Sequence, residues 1–121
     1  MNDVSHYAEL APATGRYTAE YEGQRIADTI QAVHLLETYH GKTMKPVLYV
    51  PPQDVNIKSL REMSNKTFCP IKGEANYYSL QTPEYSLDQV AWSYLTPMAP
   101  LEPITGYLAF YLDKITLTHH D

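Results

Sequence analysis

Cys69 and Lys72 stand three residues apart in the segment Cys69-Pro70-Ile71-Lys72-Gly73-Glu74, and they are the first side chains here with the means to do chemistry. A cation close to a thiol lowers its pKa and exposes a thiolate nucleophile, which would also need a base such as His34 or His40. Against that, a lone cysteine most often behaves as a small buried hydrophobe. Lys72 beside Gly73 could present its ammonium to an anionic ligand while the glycine lets backbone amides approach. The competing reading is a solvated turn in which Lys72 pairs locally with Glu74, an interaction worth about 1 kcal/mol at most.

Aromatic side chains make the second candidate group. Eleven of the fourteen aromatic residues are tyrosine, with Trp92 the single tryptophan. Tyrosine suits a half-buried sheet face and a polar-tipped pocket equally, because a large ring carries a hydroxyl that needs a partner. Trp92 and Tyr94 are two apart and share one face of a strand. With Tyr49, Tyr77 and either Tyr107 or Tyr111 they could wall an apolar pocket, or simply fill a core.

Other candidates are thinner. Asp28, Asp54, Glu74 and Asp88 are carboxylates from which an acid/base pair could be drawn, yet nothing in their spacing brings two together. Arg25 could grip a carboxylate or phosphate with both arms of its guanidinium, or lie solvated on a hairpin. His119, His120 and Asp121 are metal-friendly in type, but neighbours on a strand point to opposite faces. No metal site, cofactor or catalytic triad is expected from these residues.

Composition narrows the field. Nine Lys plus Arg against fourteen Asp plus Glu give a net charge of −5, and no basic run offers the footprint of a nucleic-acid binder. A single cysteine rules out an intrachain disulfide and a Cys-x-x-Cys zinc site, and it points to a reducing compartment. The opening MNDVSHYAELAPATG has neither a basic n-region nor an apolar core, and later apolar runs are far short of a membrane span. The expectation is a cytoplasmic domain with no membrane partner, whose oligomeric state the residues leave open.

Elements must position these groups. Residues 1–15 read as an extended or disordered arm, and 16–121 as one strand-rich domain. Arg16–Tyr21 and Gln24–Thr29 form a hairpin around Glu22-Gly23. Ala32–Leu36 continues as a strand and His40–Lys45 as a loop. Val47–Val50 is a strand stopped by Pro51 and Pro52, since proline cannot donate to a ladder. Asn56–Met63 is the one short helix or 3₁₀ turn, with Asn56 as its N-cap. Two strands follow at Glu74–Leu80 and Val90–Leu95, then an irregular Pro-rich connection over Thr96–Pro103. Gly106–Leu112 and Ile115–His119 make a closing hairpin turned at Asp113-Lys114. The sum is a mainly β fold of about eight short strands with one short helix, packed as a barrel or a tent.

The run Cys69-Pro70-Ile71-Lys72-Gly73-Glu74-Ala75 with Tyr77, Tyr78 and Ser79 resembles the signature of the domain-of-unknown-function 427 family. Four further pieces agree in type and order: Ile26-Ala27-Asp28; Tyr49 with Pro51, Pro52 and Asp54; Ala91-Trp92-Ser93-Tyr94; and Gly106-Tyr107 with Ala109-Phe110-Tyr111. The likeness spans roughly residues 16 to 118. It implies a small, mostly β domain of the tent-like sheet kind, and little chemistry. Members of that family sometimes carry a nucleotidyltransferase-like label. Such enzymes pair a Gly-Ser dipeptide with an Asp-x-Asp metal site, and this chain contains neither, nor a glycine-rich phosphate loop.

The favoured expectation is a small-molecule-binding domain with a pocket between sheets, lined by Tyr49, Tyr77, Trp92 and Tyr94 and polar at the Cys69–Lys72 end. Two alternatives stand beside it. One is an enzyme acting on a small anionic substrate through Lys72 or Cys69. The other is a protein-interaction module using exposed tyrosines or an unpaired sheet edge.

Overall fold

In the computed structural model, which describes residues 5–120, the chain is mainly β and its strands pair antiparallel throughout. Three sheets form. Sheet A holds β1 (His6–Pro12), β4 (Val33–Tyr39), β5 (Lys42–Thr43) and β6 (Val47–Tyr49), with β4 pairing to the other three. Sheet B is β11 (Thr116–His120), β2 (Arg16–Tyr21) and β3 (Gln24–Thr29), in that order. Sheet C runs β10 (Leu108–Phe110), β9 (Ser86–Pro97), β8 (Gly73–Gln81), β7 (Leu60–Cys69). The sheets do not close into a barrel. No helix among the described residues is long and apolar enough to cross a membrane.

Sheet C lies between the other two. Along β9 the residues Val90, Ala91, Ser93 and Tyr94 are all buried with Trp92 half-buried, and Leu108, Ala109 and Phe110 of β10 are buried in succession. Burial of consecutive residues means that both faces of a strand are covered. On one face Ala75, Tyr94 and Ala109 pack with Leu35 and Tyr49 of sheet A. On the other, Leu80, Ala91, Leu108 and Phe110 pack with Ala19, Ile26 and Ala27 of sheet B. Val50 exchanges two 2.8 Å backbone hydrogen bonds with Leu108, and the Asn56 amide reaches the Ile26 carbonyl at 2.7 Å, so the sheets are stitched at their margins.

Four expectations need correction. Within the arm expected over residues 1–15, His6–Pro12 is a strand paired along its length with β4, because Ala8 and Leu10 alternate inward onto the sheet A core, and Ala13 is buried; residues 1–4 lie outside the described residues. The loop expected over His40–Lys45 begins as a hairpin: His40 (φ 51°) and Gly41 (φ 78°) supply the paired positive φ of a type I′ turn, and Lys42–Thr43 folds back on β4. Of the short helix or 3₁₀ turn expected over Asn56–Met63, the 3₁₀ turn forms, with Asn56 at its N-cap position, but it spans only Ile57–Ser59; the Asn56 side chain makes no cap bond, the Ser59 hydroxyl donates to the Asn56 carbonyl at 2.7 Å, and Leu60 opens the ten-residue strand β7. Two more 3₁₀ segments, Pro52–Asp54 and Ala99–Ile104, occupy proline-rich connections.

The fourth correction concerns the closing hairpin. β10 pairs with β9 and β11 pairs with β2, so the chain changes sheets between them. Lys114 holds this crossing: its ammonium donates to the carbonyls of Asp88 at 2.8 Å and Gln89 at 3.1 Å, while the Ile115 side chain is fully buried in the sheet B core. An Asp-Lys turn signal fixes that the chain bends, but the partner of the next strand depends on where its apolar residues find cover.

Candidate functional site

The strand register brings the expected aromatic residues together. Tyr77 lies opposite Trp92 and Ala75 opposite Tyr94, so Trp92 and Tyr94 share the face of sheet C that meets sheet A. Tyr49, at the end of β6, enters that interface with 2% of its surface exposed. The Trp92 indole Nε1 donates to the Tyr49 hydroxyl at 3.1 Å with the rings edge to face, and the Tyr94 ring is 6.4 Å away between centroids. Burial pushes the Tyr49 phenol far above its ordinary range and raises that of Tyr94 as well. Tyr49 and Tyr94 are therefore packing residues whose hydroxyls stay protonated.

At the other end of this interface the Cys69–Glu74 turn meets sheet A. Cys69 closes β7, and the Lys72 amide donates back to its carbonyl at 3.2 Å. The Lys72 ammonium donates to Glu37 of β4 at 3.0 Å, and the other oxygen of Glu37 accepts from His6 of β1 at 2.9 Å. Burial alone would raise the Glu37 pKa, but the hydrogen bonds from His6 and Lys72 outweigh it and hold the carboxyl below its ordinary value. Burial would likewise lower Lys72, and Glu37 outweighs it in the opposite sense.

This corrects two readings of the turn. Lys72 is paired with Glu37, thirty-five residues away, and not with Glu74. Gly73 (φ 116°) is needed for close approach between β8 and β9: a Cβ there would lie 3.0 Å from the Thr96 carbonyl oxygen and 3.2 Å from the Pro97 Cα. The histidine brought to this turn is His6, acting through Glu37. His34 instead faces Tyr17, and His40 packs its ring on Tyr39.

A cavity of about 410 Å³ opens beside β10, at the edge of sheet C where sheets A and B converge. Sheet A and its β5–β6 connection contribute His34, Lys45, Pro46, Val47 and Leu48; sheet B contributes Tyr17 and Leu117; sheet C and its exit contribute Trp92, Phe110, Tyr111 and Leu112. Trp92 and Tyr111 are in ring contact, with centroids 4.7 Å apart, and the Tyr111 hydroxyl accepts from Gln89 at 3.3 Å. Partial burial raises the Tyr111 pKa, and the neighbouring Tyr77 adds to the rise. The Tyr17 ring stacks on His119 at 4.2 Å, and His119 donates to the Thr14 carbonyl at 3.0 Å. Another depression, of about 470 Å³ on the opposite face of sheet C, offers Tyr78 as its one aromatic ring.

Of the six residues expected to line a ligand pocket, Trp92 is the one that lines this cavity. Tyr49 stands directly behind it, Tyr77 is its cross-strand neighbour, and Tyr94, Lys72 and Cys69 belong to the interface beyond. Tyr17, Lys45 and Leu117 also line the cavity and carry no signal in the sequence beyond ordinary strand and loop composition, whereas Phe110 and Tyr111 belong to one of the family-like motifs. Most of the remaining candidates have structural partners: Arg16 grips Asp28 with two bonds of 2.9 and 2.8 Å, Arg25 bridges Glu20 and Asp28, Asp54 accepts from Thr29 at 2.7 Å, and His120 shares a hydrogen bond with Thr18, while Glu74 and Asp88 lie exposed and are not brought together with another carboxylate. Among the described residues no group of three or more His, Cys, Asp or Glu side chains is placed to hold a metal ion.

Residues 9–121 match the model of a family described as a domain of unknown function (DUF427), and the chain belongs to that family. A search of curated proteins found no match.

Proposed function

We propose that this member of the DUF427 family is a small-molecule-binding domain whose ligand sits in the cavity beside β10. The observation that carries the reading is the lining itself: all three sheets deliver side chains to one concave site, four of them aromatic, with His34 and Lys45 as the polar minority. A mostly apolar wall with a few polar groups, in a volume within the range of about 300–1,000 Å³, is the usual make-up of a small-ligand site. Trp92 is held there by the Tyr49 hydroxyl, so its ring is oriented before any ligand arrives.

Trp92 also supplies the assay, since it is the only tryptophan in the chain. Titration with a panel of small aromatic and heteroaromatic compounds should shift its emission saturably and raise the melting temperature. Val47→Phe, which puts a larger side chain into the cavity, should abolish both effects while the far-ultraviolet circular dichroism is kept. Binding that survives in a folded Val47→Phe variant would place the ligand elsewhere and overturn the reading.

A further inference from the structure

We infer that the cavity beside β10 selects a small monoanion with a planar apolar body, of the aromatic monocarboxylate class. The inference rests on the proposed function and adds the charge and shape of the ligand.

The chain carries fourteen acidic residues against nine basic ones, yet the lining holds Lys45 and His34 and no Asp or Glu. Arg16 and Arg25 are held by Asp28 and Glu20, Lys66 by Glu62, and Lys72 by Glu37, whereas Lys45, like Lys42, Lys58 and Arg61, has no ion pair among the described residues; of those four, Lys45 is the one that lines this cavity. An ammonium at the rim of an apolar concavity with no carboxylate in the wall leaves a charge for the ligand to match. A cationic ligand would meet Lys45 uncompensated.

Shape follows from the opposing wall. Lys45 and His34 come from the sheet A side, while Trp92, Phe110 and Tyr111 come from sheet C. A flat ring can lie against the indole and phenol surfaces while its acid group points toward the ammonium and the imidazole, either of which can donate a hydrogen bond. The Cys69–Glu74 turn cannot play this part, because Glu37 already occupies the Lys72 ammonium.

The test uses three probes of one shape and different head charge: phenylpropionate, phenylpropanol and phenylpropylammonium. Each is titrated into the full chain at low salt, with Trp92 emission and calorimetry as readouts. Phenylpropionate should bind most tightly, and added salt should erode its advantage. Lys45 is exposed on the connection between β5 and β6, so its variants should fold normally. Lys45→Ala should weaken phenylpropionate about threefold and leave phenylpropanol unchanged, the scale of a partly solvated ion pair. Lys45→Arg should keep the preference and Lys45→Glu should invert it toward phenylpropylammonium. If all three probes bind equally, or the ammonium binds best to the unaltered chain, the anion preference is wrong while the cavity remains a ligand site. If none of the three binds by either readout, this inference fails, and the broader panel with Val47→Phe then decides the site on its own.

Discussion

Replacing Glu37 by glutamine removes the one charge that ties β1, β4 and the β7–β8 turn together. Glu37 and Lys72 have side chains 19% and 21% exposed, so their pair lies between two known regimes. Exposed pairs contribute about 0–1 kcal/mol, and breaking a fully buried pair costs about 3–5 kcal/mol because a charge is left unmatched. Partial burial with continued access to water puts Glu37→Gln at about 1–2 kcal/mol, or a fall of about 4–8 °C in melting temperature for a domain of this size. The cost should depend on pH. The Glu37 pKa is lowered by folding from its ordinary 4.5, so its contribution is present above that value and lost as pH falls through the folded-state value. The Lys72 pKa is raised from its ordinary 10.5, so its contribution is complete below that value and lost only as pH rises through the folded-state value. Urea titrations of both proteins at about pH 8 should show the full difference, and as the pH falls below the ordinary 4.5 of a glutamate the difference should shrink toward zero. Glu74→Gln, at the exposed carboxylate of the same turn, should stay within about 0.5 kcal/mol of the unaltered chain. Equal stability of Glu37→Gln and the unaltered chain at about pH 8, or a difference as large in acid as at neutrality, would refute this account of the clasp.

Gly73→Ala should destabilise by about 1–3 kcal/mol, since the added methyl meets the β9 backbone at a φ of 116° that an L side chain rarely adopts; a thermal melt unchanged from the parent would show that the approach of β8 to β9 is looser than described. Tyr49→Phe should cost about 1–2 kcal/mol by leaving the Trp92 N–H without its acceptor, and it should broaden or shift the Trp92 emission as the ring loses its anchor; an unaltered spectrum and stability would mean that packing alone orients the indole.

Much of the architecture follows from local chemistry. The β2–β3 hairpin with its Glu22-Gly23 turn, the stop of β6 at Pro51 and Pro52, and the shared face of Trp92 and Tyr94 rest on φ preferences, a missing amide donor and the two-residue period of a strand. The family resemblance, carried by short motifs in order, is likewise a property of the linear chain. Strand alternation determines which residues share a face; it does not determine what covers that face. Val90 to Tyr94 is buried on both sides because sheets A and B close over it, so Tyr49 and Tyr94 become core while Trp92, their neighbour, borders a cavity. The same holds for charge. Glu37 meets Lys72 and His6 across thirty-five and thirty-one residues, pairings set by sheet register and by no local spacing. The sequence by itself marked the strands that local pattern and turn residues announce, such as β2, β3, β6, β8 and β9, and the residues with chemical potential; β1, β5 and the start of β7 became strands only through the partners they pair with. Tertiary packing alone decided which of them are held by partners and which, like Lys45 beside Trp92, are left facing open space, because that depends on contacts between segments far apart in the chain.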